Sequence, residues 1–173
     1  MISLILEKGY ERITVQDILD RADVGRSTFY AHYQDKEALL MTSFDEMRDR
    51  LNQELTIATA GGKPLDLGYP ALLIFQHAHR NQRIYRALCG KHGGSLVFRH
   101  LHGLLHETLA KYLDMYLSEI DSELPADIVA QFHASSTLAL LTWWIDHDFM
   151  HEPTWLARIY RQLAVPAEMG YRR

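Results

Sequence analysis

The chain is predicted to be all-α, and three observations carry that prediction. Apolar residues recur at helical spacing along most of its length, as in Val15, Ile18, Leu19 and Ala22 or in Leu40, Phe44, Met47 and Leu51. No run alternates at the two-residue period of a strand, and no internal repeat is visible. The segments between are punctuated by helix-stopping residues, most clearly Thr59-Ala60-Gly61-Gly62-Lys63-Pro64 and Gly90-Lys91-His92-Gly93-Gly94.

Taken in order, Met1 to Lys8 reads as the end of a first helix, with Ile2, Ile5 and Leu6 inward and Gly9 closing it. A second helix runs from Thr14, whose hydroxyl can cap the opening turn, to about Ala22. Asp23-Val24-Gly25 breaks the pattern, since Asp tolerates a left-handed backbone and Gly adopts it freely. A third short helix from Arg26 carries Arg26, Ser27, Thr28, Tyr30 and His32 outward, with Phe29 and Tyr33 inward. Asp35 then caps a long helix whose stripe Leu39, Leu40, Phe44, Met47, Leu51 and Leu55 runs toward Thr56. Residues 59–64 form the clearest linker. Further helices are expected at 68–79, at 82–89 with Asn81 as cap, at 95–120, from Pro125 to about Phe149, and at 154–163; residues 166–173 read as a tail.

Composition bounds the function. In 173 residues the hydrophobic share is 47%, enough for a packed core and against disorder. The longest apolar run, Leu138 to Ile145, is interrupted by Thr142 and falls far short of the ~20 residues of a membrane span. No secretory leader is visible, and the single Cys89 allows no internal disulfide, so a cytoplasmic setting is expected. Net charge is −4, and residues 1–50 hold seven Lys and Arg against ten Asp and Glu. A nucleic-acid partner would therefore be held by local groups rather than by overall charge.

Two short helices joined by a three- or four-residue turn allow the second to enter a DNA major groove. Gly9-Tyr10-Glu11, Thr14-Val15-x-x-Ile18, Ala22-x-Val24, Thr28-x-Tyr30-x-His32-Tyr33 and Lys36-Glu37-x-Leu39 together resemble the DNA-binding headpiece of the TetR family of transcriptional regulators. The likeness covers about the first quarter of the chain. It departs from the family pattern in three places: Asp23 stands where Gly is frequent, Gly25 where Ser or Thr usually caps, and only eight residues precede Gly9, so a basic arm is trimmed or absent.

The resemblance implies a headpiece of residues 1–45 and a ligand-binding and dimerisation body of residues 46–173. Arg26, Ser27, Thr28 and His32 would face base edges or nearby phosphates, and Thr14, Tyr30, Tyr33 and Lys36 would hold the DNA backbone. The partners implied are double-stranded DNA with a palindromic operator, a second copy of the chain and a small-molecule effector. No membrane, cofactor, metal or catalytic activity is expected. The helix from Pro125 is apolar nearly all round in its second half, so one side is expected to be covered by another subunit. Together with the last helix it resembles the family's four-helix dimer interface. For an effector pocket the candidates are Phe75, His79, Tyr85, Phe98, His102, Leu105, Phe132, Ser136 and Trp143.

Rival chemistry is weaker. His102/His106 and His147/His151 are spaced as half-sites for zinc, but a site needs three or four ligands and there is no HExxH, so the alternative of a small helical metal-binding protein or enzyme ranks second. Cys89 lies near Arg86, Lys91 and His92, an arrangement that could activate a thiol; a small buried hydrophobe is the plainer reading.

Overall fold

Helix α1 (Ile2–Lys8) ends at Gly9, whose φ of 75° and ψ of 150° place it where essentially only glycine is comfortable. The computed structural model describes residues 1–59, 68–89, 95–119 and 124–164. Leu4 and Ile5 are the buried residues of α1, whereas Ile2 is exposed and Leu6 half-buried. The expected inward set was therefore rotated. Arg21 reaches Ser3 and Glu7 from the second helix and ties it to that edge of α1.

A short 3₁₀ turn at Tyr10–Arg12, absent from the sequence reading, leads into α2 (Val15–Ala22). Thr14 caps α2 through a full capping box: its Oγ1 accepts from the Asp17 amide at 3.2 Å, and Asp17 Oδ2 accepts from the Thr14 amide at 2.7 Å. Asp23 stops α2 in the left-handed region at φ 52° and ψ 48°. Gly25 begins α3 (Arg26–His32) without a side-chain cap. Ile18, Leu19 and Phe29 form the inner face of this helix pair. Asp35 Oδ1 then accepts from the Ala38 amide and starts α4 (Lys36–Thr59), which runs unbroken from the α1–α3 unit into the rest of the molecule.

Thr59 of the expected linker is the last residue of α4, and the rest of it (60–64), the Gly-rich segment 90–94 and the tail 166–173 lie outside the described residues. Beyond the linker come α5 (Tyr69–Arg80), α6 (Gln82–Cys89), α7 (Ser95–Glu119), α8 (Ala126–Asp146) and α9 (Pro153–Ala164). Among the described residues there is no strand, and no helix is long and apolar enough to cross a membrane. The most extensive pairing is α7 with α8; α5 packs on α9, α4 on α7, and α1 on α6. Asn81 does not cap the start of α6 with its side chain. Its Nδ2 instead donates to the His77 carbonyl at 2.9 Å and closes the end of α5.

Phe75, Trp144 and Tyr160 are fully buried and meet edge to face, with Phe75 centroids 6.2 Å from Trp144 and 6.5 Å from Tyr160. Around them α8 ends at Asp146 rather than Phe149. Asp148 and Phe149 both take φ 55°, the Phe149 amide returns to the Trp144 carbonyl, and the Phe149 ring packs edge-on to Trp144 at 4.8 Å. Burying that ring outweighs one more turn of helix.

His133 is 2% exposed and its Nδ1 lies 2.5 Å from Tyr160 Oη. Burial lowers its pKa below the usual 6.5. The unfolded chain then binds the proton more tightly, so stability is full above about pH 6.5 and declines as pH falls below it. The melting temperature is expected to drop between pH 7.5 and 5, and His133→Leu to flatten that slope; an equally steep slope in the variant would assign the loss elsewhere.

Candidate nucleic-acid interface

Helix α3 presents Arg26, Ser27, Thr28, Tyr30 and His32 to solvent around a buried Phe29. Phe29 fixes the helix on its inner side and is flanked by Tyr30 at 5.4 Å, edge to face, and Tyr33 at 5.7 Å. Five of the eight residues assigned to DNA are thus on one exposed surface, at the spacing and helix length a groove admits. Arg26 is steered by a residue that the sequence reading missed. Its Nη2 donates to Gln16 Oε1 at 3.2 Å, and Gln16 Nε2 donates to Asp20 Oδ1 at 2.8 Å. No local pattern announces a contact across ten residues.

The other three are differently placed. Thr14 has its hydroxyl engaged at both ends, accepting from the Asp17 amide and donating to Asp17 Oδ2 at 2.6 Å. Tyr33 is half-buried against Phe29. Lys36, expected at the DNA backbone, has its ammonium turned onto the chain's own carbonyls. Its Nζ donates to the carbonyls of Tyr10 at 3.1 Å, Glu11 at 3.2 Å and Ile13 at 2.9 Å, and lies 4.6 Å from the Tyr10 ring centroid. All three ammonium hydrogens are used. The Tyr10 carbonyl also accepts from the Ile13 amide at 3.1 Å, and the lysine adds a charged donor to it and to the carbonyls of Glu11 and Ile13.

Much of the basic charge of the N-terminal residues is taken up by carboxylates of the same chain. Lys8 pairs with Asp17 at 2.5 Å and Arg21 with Glu7 at 2.6 Å, while Arg48 reaches Asp45, Asp49 and Glu107. The Lys8 ammonium and the Thr14 hydroxyl and amide hold the Asp17 carboxyl well below the usual range. Glu37, in the first turn of α4, meets His100 of α7 at 3.0 Å. Positive charge at the groove face itself comes from Arg26, with hydroxyls and Tyr30 beside it.

The N-terminal geometry coincides with a family match. A model described as "Bacterial regulatory proteins, tetR family" matches residues 2–41, and one described as "Transcriptional regulator C-terminal region" matches residues 70–165, more than half of the chain. The chain belongs to the TetR family. The HTH-type transcriptional regulator YxbF of Bacillus subtilis is 28% identical over 165 residues, covering 93% of this chain and 41% of that protein. The chain spans less than half the length of the curated relatives it matches. Among solved structures, a TetR transcriptional regulator from Streptococcus agalactiae superposes with a TM-score of 0.68 at 27% identity, covering 94% of this chain and 88% of that one. A TetR-family regulator from Syntrophomonas wolfei gives 0.74 at 17% identity, covering 96% and 91%, and shares the fold.

In this TetR-family body the nine pocket candidates are not gathered around one space. Phe75 is part of the aromatic core, and Leu105 is buried beside a void of only about 10 Å³ between α4, α5, α7 and α8. His79 stacks on Trp144 at 5.6 Å, and His102 Nε2 lies 3.1 Å from Ser135 Oγ. Phe98 and Ser136 are half-buried, whereas Phe132 and Trp143 face outward at 53% and 39% exposure. Tyr85 alone among them borders the apolar cavity of about 260 Å³ that lies between α1, α4, α6 and α7.

The histidines of the two pairs are engaged with other partners. His106 bonds Asp127 at 3.0 Å while His102 takes Ser135; His147 stacks on Trp143 at 4.3 Å and His151 on Trp155 at 3.8 Å. Among the described residues no three His, Cys, Asp or Glu side chains are grouped as metal ligands. Cys89 is 3% exposed and burial pushes its thiol up to about 12, the opposite of an activated nucleophile.

Proposed function

We propose that this chain is a cytoplasmic, homodimeric TetR-type repressor that binds a palindromic duplex operator and is released by a small-molecule effector. The observation that carries this reading is the exposed α3 surface of Arg26, Ser27, Thr28, Tyr30 and His32, held at a fixed angle by Phe29 and the Thr14–Asp17 capping box. Arg26, Ser27, Thr28 and His32 face base edges or adjacent phosphates; Tyr30 and Tyr33 hold the DNA backbone, with Thr14 orienting the start of α2. Residues 1–45 form the DNA-binding headpiece and residues 46–173 the ligand-binding and dimerisation body.

Dimerisation is supported by an apolar surface that the monomer leaves open. Ile128 at 64%, Phe132 at 53% and Trp143 at 39% exposure follow one edge of α8, and Leu163 at 72% is exposed on α9. Trp143 and Trp155, 6.2 Å apart, join the two helices. Contiguous exposed apolar surface on this scale marks an interface. A two-fold pairing would place the two α3 helices about one DNA turn apart, ~34–36 Å.

The test is binding to the chain's own upstream DNA and to random duplex across a salt series. A steep salt slope with preference for the upstream fragment is expected. Arg26→Ala is expected to reduce that preference by ~1–3 kcal/mol while leaving random-sequence binding nearly unchanged. Equal loss on both DNAs would show Arg26 to be a phosphate contact only.

A further inference from the structure

The apolar cavity is walled on one side by Ile5 of α1 with Leu40 and Phe44 of α4, and on the other by Leu88 of α6 with Val97 and Leu101 of α7. It therefore sits at the seam between headpiece and body, not among the body helices where the sequence reading placed a pocket. At the ~30 Å³ that one water occupies in the liquid, its volume of about 260 Å³ has room for roughly nine water-sized units. Met47, Arg50, His77 and Asn81 border both this cavity and a shallower, polar cleft of about 390 Å³, so the two spaces share a neck.

Arg80 and Glu54 stand on the outer side of that neck and Glu46 on the cavity side. Neither Arg50 nor Arg80 makes an ion pair among the described residues. Both guanidiniums are therefore free to meet an anion at the neck. Burial lowers the pKa of His77, the nearby Arg80 and Arg50 lower it further, and Glu54 opposes them. His77 Nδ1 is in turn held by Tyr85 Oη at 3.0 Å. An apolar chamber reached past two unpaired guanidiniums selects by chemistry: a short hydrocarbon body carrying one anionic head.

We propose that the seam cavity is a binding site for a small amphiphilic carboxylic acid, its hydrocarbon part between α1, α4, α6 and α7 and its carboxylate at the Arg50–Arg80 neck. Its role as effector site rests on the regulator reading above. Because α1 and the first turns of α4 supply one wall and α6 and α7 the other, any change in headpiece pitch alters the ligand's contacts. That difference in contact is what couples ligand binding to DNA binding.

Octanoate matches the cavity in size and charge, and 1-octanol is its uncharged counterpart. In calorimetric titration of the full chain, octanoate is expected to bind saturably, one per chain, and to raise the melting temperature. Arg50→Gln combined with Arg80→Gln, both at the surface, is expected to weaken octanoate by about tenfold or more and leave octanol unchanged. Leu88→Phe, which fills the chamber, is expected to weaken both by about tenfold or more; if that variant does not fold, the arginine pair decides. Absence of saturable octanoate binding, octanol binding as tightly as octanoate, or octanoate binding indifferent to the arginine changes would each overturn the proposal. Duplex binding measured in parallel separates the two readings. DNA binding without octanoate uptake removes the seam site and keeps the regulator, and octanoate uptake without salt-dependent DNA binding does the reverse.

Discussion

Lys36→Ala is expected to destabilise the first three helices by about 2–4 kcal/mol, because three backbone carbonyls lose a charged donor at once. Tyr10, Glu11 and Ile13 belong to the turn that fixes α1 against α2, so the damage spreads to the angle of α3. The three tryptophans, at 143, 144 and 155, lie in α8 and α9 and would report little of it. Amide exchange at residues 10–14 is the proper readout, and protection there should fall. A phosphate contact would behave otherwise. Removing one lowers the salt slope of DNA binding by ~0.9 and spares the fold. With Lys36→Ala the slope of the folded fraction is expected to stay unchanged, and a reduced slope with intact exchange protection would return the lysine to the DNA. Arginine is not an equivalent replacement, since its planar fork does not converge on three carbonyls as an ammonium does.

Phe132→Glu is expected to have the larger effect on function and almost none on the fold. The ring is 53% exposed, so the monomer's own packing scarcely depends on it, while a carboxylate at the centre of the proposed subunit interface would have to be buried unpaired. Sedimentation should show a monomer with unchanged helical circular dichroism. Operator affinity should fall by ~10²–10⁴, the usual gain from linking two binding units. A variant that remains dimeric would move the interface off the Ile128–Phe132–Trp143 edge; a monomer that keeps full operator affinity would mean that one headpiece suffices.

How much of this was legible in the sequence depended on how far apart the deciding residues lie. Thr14 capping α2, Asp23 turning left-handed, and Asp35 starting α4 are settled within about four residues, and all three were readable. The partners of Lys36 lie 23 to 26 residues away, and the sequence shows only a lysine at a familiar interval. Gln16 holding Arg26 is hidden for the same reason. The pocket was the least legible part. Phe75, Phe132 and Phe44 are one residue type, yet the first is core, the second exposed, and the third lines a cavity. Which of these befalls a phenylalanine depends on how helices stack, and periodicity gives only the inward face. The end of α8 failed differently, because the return of Phe149 onto Trp144 competes with helix continuation and leaves no Gly or Pro as a signal.

The internal pairing of headpiece charges has a consequence for how such a protein is distributed along a chromosome. With Lys8 and Arg21 held by carboxylates, Lys36 by carbonyls and a net charge of −4 on the whole chain, few free cations of the headpiece remain to hold DNA without regard to sequence. A genome presents ~10⁶–10⁹ competing sites, and a strongly basic protein spends most of its time on them. A protein that is weakly held everywhere remains free between encounters. Under the regulator reading proposed above, few copies per cell would then suffice to keep one operator occupied, and occupancy would follow the copy number closely.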